Sequence, residues 1–272
     1  MIKNKRIQKI DFYSELNREK LPYIAILPKD YFETDKDHPV IYLMHGLFGG
    51  FENWTELTGI VEYSKDLPFV IICPEGKNSW YLDNETLEDH LFESYILEEL
   101  IPDVEKRFRI KREKNSRIIG GLSMGGYGAF KFSFRRLEMF SVAFSMSGAF
   151  DIPQFLANKE DKFPELHPFI ADTFEGISED QMKREDLFEI VRNFPNYRIS
   201  ELPCFYLDCG LSDSFIELNR EFSKLLKTKN IEHNFIEAEG GHGWDYWDER
   251  IKFLLERLTG INKNQKNVFA VE

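Results

Sequence analysis

The sequence predicts an α/β fold with a mostly parallel central sheet of about eight strands and helices on both faces. Two observations lead to this prediction. Through the second half of the chain, short apolar runs of strand length alternate with longer segments of helical periodicity. Such alternation is typical of parallel strands joined by right-handed crossovers. The first strand-like runs follow one another without a helical segment between them, so we expect these to pair antiparallel.

The predicted strands are apolar runs bounded by turn residues. They cover about residues 5–13, 21–28, 39–44, 67–76, 116–120, 140–148, 203–210 and 231–238. The predicted helices carry apolar residues at spacings of three and four. They cover about residues 89–107, 215–230 and 246–258, and a further helix follows residue 123 directly. Pro102 lacks an N–H group and should kink or break the first of these helices.

Length and composition are those of an ordinary globular protein. The chain has 272 residues, of which 42% are hydrophobic and 30% are charged. We expect a single domain over residues 1–260, because α/β folds often reach this length as one unit. Residues 149–201 are mixed in character and contain four prolines, which predicts an insertion or lid above the sheet. Residues 261–272 are predicted to be a C-terminal tail.

The charge balance argues against two classes of partner. Asp and Glu number 47 against 35 Lys and Arg, giving a formal net charge of −12. An acidic surface repels phosphate backbones and anionic lipid, so neither nucleic acid nor a membrane is expected as a partner. The N-terminus is basic but lacks the apolar core of a signal peptide, which predicts a cytoplasmic protein. The three cysteines are an odd number and do not suggest a disulfide framework.

The clearest motif is Gly121-Leu122-Ser123-Met124-Gly125, a G-x-S-x-G sequence between a buried strand and a helix. In this context the motif is a nucleophile elbow, in which a sharp turn lifts the serine hydroxyl above the sheet edge. A glycine-rich phosphate loop is the alternative, but the run lacks both G-x-G-x-x-G spacing and the Lys-Ser/Thr ending. The motif and the order of elements together predict the α/β-hydrolase fold, with Ser123 as nucleophile.

Attack by the serine requires two N–H donors for the developing oxyanion. In this fold one donor is the residue after the nucleophile, here Met124. The second belongs to the loop that follows an early strand, here within residues 40–50. We predict the N–H of Leu47, with Phe48 as the alternative. His45, in the same loop, precedes the serine, which is the wrong chain order for the base, so we expect it to hold the loop.

The base and the acid should follow the serine, with the acid first. His242 lies in a glycine-rich loop just past the last predicted strand, whereas His233 lies within that strand. We therefore predict His242 as the base. Asp213 precedes a helix and is favoured as the acid. Asp208 ends a strand, where it is expected to accept hydrogen bonds from loop amides. Asp245 is a poorer candidate because it follows the histidine.

Five segments together resemble the putative-esterase family: HGLFGG, NSWY, GGLSMGGYGAF, DCGLSDSF and GGHGWDYW. That family includes carbohydrate esterases of family one, feruloyl and acetylxylan esterases, tributyrin esterases and S-formylglutathione hydrolases. The resemblance, over about residues 20–259, implies a triad of Ser123, Asp213 and His242. S-formylglutathione hydrolases typically carry histidine where this chain has Leu122 and Tyr127, so the chain is more similar to the tributyrin and feruloyl branch.

The resemblance implies a serine esterase that hydrolyses short-chain acyl, acetyl or hydroxycinnamoyl esters through an acyl-serine intermediate. Its partner would be a small ester, and neither an organic cofactor nor a metal is expected. Trp80 and Tyr81 are expected to line the acyl pocket, with packing in the core as the alternative for Trp80. Two other functions use the same triad, namely an S-formylglutathione hydrolase and an acyltransferase. A non-catalytic interaction protein is a more distant alternative, and the sequence does not predict the oligomeric state.

Overall fold

The protein is described by a computed structural model over residues 5–151 and 173–258. Ten strands lie in this part of the chain. They are β1 (Ile7–Ile10), β2 (Tyr13–Ser14), β3 (Glu19–Lys20), β4 (Tyr23–Ile26), β5 (Val40–Met44), β6 (Val70–Pro74), β7 (Arg117–Leu122), β8 (Val142–Met146), β9 (Cys204–Gly210) and β10 (His233–Ala238).

Eight of these strands form one sheet in the order β1-β4-β6-β5-β7-β8-β9-β10, and β2 and β3 form a small separate pair. β4 pairs antiparallel with both β1 and β6. Every other neighbouring pair of the sheet, from β6 to β10, is parallel. The predicted α/β-hydrolase fold is confirmed, and each of the eight predicted strands corresponds to one strand of the sheet.

The helices of the described residues lie between and after these strands. They are α1 (Asn53–Leu57), α2 (Ile60–Tyr63), α3 (Phe92–Ser94), α4 (Ile101–Arg107), α5 (Met124–Arg135), α6 (Glu179–Glu185), α7 (Leu187–Asn193), α8 (Ile216–Thr228) and α9 (Trp244–Leu258). A π-helical turn, Tyr95–Leu100, joins α3 to α4. Pro102 follows this wider turn, so the helix passes the proline without a break.

Side chains of the central strands alternate between two apolar cores, as the two-residue period of a strand requires. In β5, Val40, Tyr42 and Met44 belong to the core that packs against α3, α4, α5 and α8. Ile41 and Leu43 belong to the opposite core, which packs against α1, α2 and α9. Both faces of the sheet are therefore covered, and the strand ends are left to carry polar groups.

A cluster of four charged side chains holds α5 to its neighbours, and we call it the Lys131 cluster: Lys131, Arg135, Glu93 and Glu185. The Lys131 side chain is fully buried, with its Nζ 2.7 Å from Glu185 Oε2 and 3.0 Å from Glu93 Oε2. Arg135 is paired with the same two carboxylates. Burial opposes ionisation of Glu185, but the two cations hold its pKa below the ordinary value. α5 is thereby bridged to α3 and α6.

Two predictions fall partly or wholly outside the described residues. Of the insertion or lid predicted over 149–201, residues 152–172 lie outside, while residues 173–201 include α6, α7 and a short 3₁₀ helix at Asn196–Glu201. The predicted tail over 261–272 lies outside entirely. The lid, the tail and the single domain stay predictions.

Candidate active site

Ser123 stands at the turn between β7 and α5, and its backbone has φ +51° and ψ −114°. This left-handed φ is rare for a residue with a side chain and is typical of strained turns at functional sites. The turn is fixed on both sides, because the Ser123 N–H donates to Met146 O at 2.8 Å and its carbonyl accepts from Tyr127 N–H at 3.1 Å. The serine hydroxyl is therefore presented in a defined position at the carboxyl edge of the sheet.

The two glycines of the motif are required by close backbone approach. A Cβ at Gly125 would lie 2.6 Å from the carbonyl oxygen of Met44, and one at Gly121 would lie 2.4 Å from the same oxygen. Neither contact can be relieved by a rotating side chain, since the obstacle is main chain. The strand and helix around Ser123 can pack at this distance only without side chains at these positions.

His242 lies in the loop between β10 and α9, and its Nε2 is 3.2 Å from Ser123 Oγ. Its ring is held between two aromatic side chains in edge-on contact. The centroid of Phe215 lies 4.8 Å from the imidazole centroid, and that of Trp247 lies 5.0 Å away. The imidazole therefore has a fixed orientation while 29% of its side chain stays exposed to solvent.

Asp213 follows β9, and its carboxylate meets the other nitrogen of the same ring. Its two oxygens lie 3.1 and 3.0 Å from His242 Nδ1, and its side chain is fully buried. Since an ionised carboxylate only accepts, Nδ1 carries the proton and Nε2 is left to accept from the Ser123 hydroxyl. Burial opposes ionisation of Asp213, but the hydrogen bond and charge of His242, with a hydrogen bond from Ser147, hold its pKa below the ordinary value.

The alternatives for acid and base are engaged elsewhere. Asp208 is buried among Tyr206, Tyr246 and Arg250, with its Oδ2 2.6 Å from Arg250 Nε. Burial raises the pKa of Asp208 against the opposing charge of Arg250. His233 lies at the start of β10, where its Nε2 is 2.8 Å from a serine hydroxyl on α8 and its Nδ1 is 2.9 Å from a main-chain carbonyl.

The two candidate oxyanion donors in the loop after β5 differ in whether their N–H group is already bonded. Among the residues that the structure describes, the Leu47 N–H donates to no protein acceptor, whereas the Phe48 N–H donates to Asn78 Oδ1 at 2.8 Å. The Phe48 alternative for the oxyanion donor is thus already occupied. Met124 is the first residue of α5, where an N–H has no acceptor within the helix. Leu47 and Met124 therefore stay the predicted oxyanion donors, and neither N–H has a protein acceptor within the described residues.

His45 is buried below this loop and holds it in place. Its Nδ1 lies 2.7 Å from Gly46 O, and its Nε2 accepts from Gly76 N–H at 2.8 Å. The side chain of Glu75 lies beside the same nitrogen, with 3.4 Å between Nε2 and Oε1. Both ring nitrogens are occupied, which agrees with a loop-holding role.

Trp80 and Tyr81 both lie in the interior and both have a left-handed φ, +52° and +49°. The indole of Trp80 packs edge-on against Tyr127 and Phe174. The Tyr81 hydroxyl donates to His45 O at 3.2 Å. Their predicted contact with substrate stays a prediction, and the Tyr81 hydroxyl contacts the loop after β5.

The sequence did not predict the surroundings of the imidazole. Trp247 packs edge-on against His242 and donates its indole N–H to Ser147 Oγ. Trp247 lies in the GGHGWDYW segment, where the sequence does not distinguish a site residue from a core residue, and Ser147 belongs to none of the five segments. Within the described ranges 5–151 and 173–258, no group of three or more His, Cys, Asp or Glu is arranged to hold a metal ion. No helix in these ranges has the length and apolar character needed to span a bilayer.

The fold and the elbow define an α/β-hydrolase, and comparison with known proteins narrows this class. Residues 14–257 match the model of the family described as "Putative esterase", and the chain belongs to this family. As a member it is a carboxylic ester hydrolase. The chain is 30% identical over 269 residues to an acetyl esterase of Caldicellulosiruptor saccharolyticus, covering 94% of this chain and 99% of that protein.

Solved structures show the same fold at lower identity. A fluorophosphonate-binding serine hydrolase of Staphylococcus aureus superposes with a TM-score of 0.80 at 22% identity, covering 93% of this chain and 98% of the other. A ferulic acid esterase superposes with a TM-score of 0.77 at 24% identity, covering 94% and 98%. The architecture is therefore that of known esterases over nearly the whole chain.

Proposed function

We propose that Ser123, His242 and Asp213 form the catalytic triad of this esterase and that the reaction passes through an acyl-serine. One observation carries the proposal, namely the unbroken hydrogen-bonded line from a buried carboxylate through an imidazole to a strained serine. The distances along this line, 3.0 Å and 3.2 Å, suit hydrogen bonds in a site without substrate.

In the first half of the reaction, His242 Nε2 takes the proton of the Ser123 hydroxyl as Oγ attacks the ester carbonyl. The resulting imidazolium is stabilised by the ionised Asp213, whose lowered pKa keeps it charged. The tetrahedral oxyanion accepts from the N–H groups of Leu47 and Met124. Collapse breaks the ester C–O bond, and His242 returns its proton to the leaving alkoxide, which departs as the alcohol.

In the second half, water replaces the alcohol. His242 takes a proton from water as the oxygen attacks the acyl-serine carbonyl, and the same two N–H groups hold the second oxyanion. Collapse breaks the bond between the acyl carbon and Ser123 Oγ, His242 gives its proton to Oγ, and the carboxylic acid is released. The hydroxyl of water is then in the acid, and its other proton is on Ser123.

We propose short acyl esters, with acetyl esters first, as the substrate class. Support comes from the acetyl esterase that matches nearly all of the chain, and from the ferulic acid esterase of the same fold. The panel that ranks these substrates contains nitrophenyl esters from acetate to octanoate, methyl ferulate, acetylated xylan and S-formylglutathione. The highest kcat/KM is expected among the acetyl and other short acyl esters. A clear preference for S-formylglutathione would replace this assignment.

The triad is tested by Ser123→Ala, with Ser133→Ala as the matched control. Ser133 lies on the same helix, and its hydroxyl donates to Ala129 O at 2.8 Å rather than to the site. Ser123→Ala should lower kcat for nitrophenyl acetate by about 10⁶ and abolish labelling by a fluorophosphonate probe. The control should keep both properties. Full activity in a clean preparation of Ser123→Ala would refute the triad.

A further inference from the structure

Tyr81 follows β6, and its side chain is fully buried. Its φ of +49° lies in the left-handed region, which is uncommon for a residue with a side chain. Two side chains hold the backbone in this conformation. The Tyr81 N–H donates to Ser79 Oγ at 3.0 Å, and the Tyr81 carbonyl accepts from Lys131 Nζ at 3.0 Å. Tyr81 is thus fixed to the Lys131 cluster in a conformation that costs free energy.

The ring of Tyr81 packs against the segments that hold the loop after β5. A side chain at Gly76 would overlap this ring, and the centroids of the Tyr81 and His45 rings are 5.9 Å apart. The Tyr81 hydroxyl donates to His45 O at 3.2 Å. Burial raises the pKa of this hydroxyl well above its ordinary value, so the hydroxyl keeps its proton and remains a donor. The strained backbone therefore directs a hydrogen-bond donor at one main-chain carbonyl.

That carbonyl belongs to the first of two peptide units that lead to the Leu47 N–H. The second unit joins Gly46 to Leu47, and its oxygen lies 2.7 Å from His45 Nδ1 and accepts from Gly49 N–H at 3.1 Å. Because a peptide unit is planar, bonds to its carbonyl oxygen also set the direction of its N–H. Tyr81 holds the first unit, while His45 and Gly49 hold the second. The proposed oxyanion donor therefore has a defined direction.

We propose that Tyr81 is a positioning residue for the reaction, whose hydroxyl holds the loop after β5 so that the Leu47 N–H faces the developing oxyanion. The inference rests on the proposed triad and on its oxyanion donors. Such donors accelerate the reaction only when they are already oriented toward the place where the negative charge develops. Tyr81 acts through the direction of the Leu47 N–H, and this role needs no contact with the substrate.

The test is Tyr81→Phe, which removes the hydroxyl and keeps the ring. Tyr95→Phe is the matched control. Tyr95 is also fully buried, and its hydroxyl donates at 3.4 Å to the main-chain carbonyl of Leu21, which lies between β3 and β4.

Two substrates are compared, nitrophenyl acetate and the thionoester with the same leaving group, in which sulfur replaces the carbonyl oxygen. Sulfur is a weak hydrogen-bond acceptor, so reaction of the thionoester depends less on the oxyanion donors. Rates are expressed per site titrated with a fluorophosphonate, which removes the effect of unfolded protein.

Removal of a complete oxyanion donor costs about 10²–10³-fold in kcat, and a donor that is only loosened should cost less. We expect Tyr81→Phe to lower kcat for nitrophenyl acetate by about 10-fold. KM should stay within about threefold, because the charge develops only in the transition state. The rate for the thionoester should fall by less than about threefold, so the ratio of ester rate to thionoester rate should decrease. Tyr95→Phe should leave both rates within about twofold of those of the unaltered protein.

A ratio in Tyr81→Phe that stays within about twofold of the ratio in Tyr95→Phe, or that increases, would overturn the inference. An equal fall for both substrates would assign the effect to proton transfer or to the fold rather than to the Leu47 N–H. Failure of the triad itself is distinguishable, because it would appear as activity or labelling in Ser123→Ala. Loss of labelling in that variant together with an unchanged ratio in Tyr81→Phe would refute the positioning role alone.

Discussion

Asp208 and Asp213 are five residues apart and both buried, yet their carboxylates contact different kinds of partner. Asp208 meets partners that are fixed in the interior, namely the hydroxyls of Tyr206 and Tyr246 and the guanidinium of Arg250. Asp213 meets an imidazole that is partly exposed and can change its charge. Both carboxylates are buried, so burial does not distinguish them. Their partners do, because only the imidazole beside Asp213 lies next to the proposed nucleophile and can take its proton.

The two sites also differ in the direction of their pKa shifts. Burial raises the pKa of Asp208 despite Arg250, whereas the partners of Asp213 lower its pKa despite burial. Asp208 accepts hydrogen bonds at the junction between β9 and α9, and the lowered pKa of Asp213 keeps it ionised for its proposed role. If this contrast is correct, substitutions at the two positions should affect different measurements.

The largest expected effect is that of Asp213→Asn on catalysis. The amide would keep the shape but lose the charge and the acceptor pair that fix the tautomer of His242. We expect kcat to fall on the order of 10³–10⁴-fold, with a modestly lower thermal midpoint, because the ionised carboxylate contributes to stability at neutral pH. Steady-state kinetics on nitrophenyl acetate and thermal unfolding measure the two. A loss in kcat of less than tenfold would contradict a catalytic role that Asp213 has and Asp208 lacks.

Asp208→Asn should show the reverse pattern. The amide replaces one acceptor oxygen with an NH₂ group that faces the donors of Tyr206, Tyr246 and Arg250, and an unsatisfied buried group costs about 1–3 kcal/mol of unfolding free energy. The rate per titrated site should stay within about threefold. Chemical denaturation gives the free energy, and Tyr246→Phe provides a milder perturbation of the same carboxylate if the first variant is insoluble. A stable Asp208→Asn protein with lost activity would contradict this assignment.

A smaller effect is expected in the pH dependence of stability. An aspartate in the unfolded chain has a pKa of about 3.9. Because the folded pKa of Asp213 lies lower, its contribution is present above that value and is lost as the pH falls toward the folded pKa. Because the folded pKa of Asp208 lies higher, its contribution is largest at and below about pH 3.9 and declines as the pH rises through the folded pKa.

The two differences in unfolding free energy should therefore slope oppositely. The gap between the unaltered protein and Asp213→Asn should narrow on acidification below about pH 4. The gap to Asp208→Asn should widen as the pH falls from 6 toward about 4. Each slope is at most about 1.4 kcal/mol per pH unit for one proton. Denaturation curves between about pH 3.5 and pH 6 give both slopes. Parallel slopes would contradict pKa shifts of opposite direction at the two carboxylates.

The sequence was sufficient for the features that depend on local pattern. The sheet strands are short apolar or alternating runs. The elbow at Ser123 is marked by glycines that the close approach of the neighbouring main chain requires. The chain order of serine, aspartate and histidine predicted Asp213 and His242. In the structure Asp213 is hydrogen-bonded to His242, and His242 is hydrogen-bonded to Ser123. Position relative to strand ends also separated Asp213 from Asp208.

Other features depend on contacts between distant segments and had no local signal. Ser147 and Trp247 are 100 residues apart, and nothing in either neighbourhood indicates the other. Asn78, 30 residues from Phe48, accepts the Phe48 N–H, and this contact favours Leu47 as the predicted oxyanion donor. In the sequence, Lys131 is one polar residue of a largely apolar helix. Its burial is explained only by its ion pairs with Glu93 and Glu185.

The Lys131 cluster sets a condition for redesign of this enzyme. The lysine lies on the helix that begins at the nucleophile, and the carboxylate of Glu185 comes from the segment beyond residue 172. A chimera that replaced this segment with that of a relative would leave Glu93 as the one carboxylate paired with both Lys131 and Arg135 in the described residues, unless the donor supplied a carboxylate at the position of Glu185. Lys131, Arg135 and both glutamates should therefore be exchanged together with the segment.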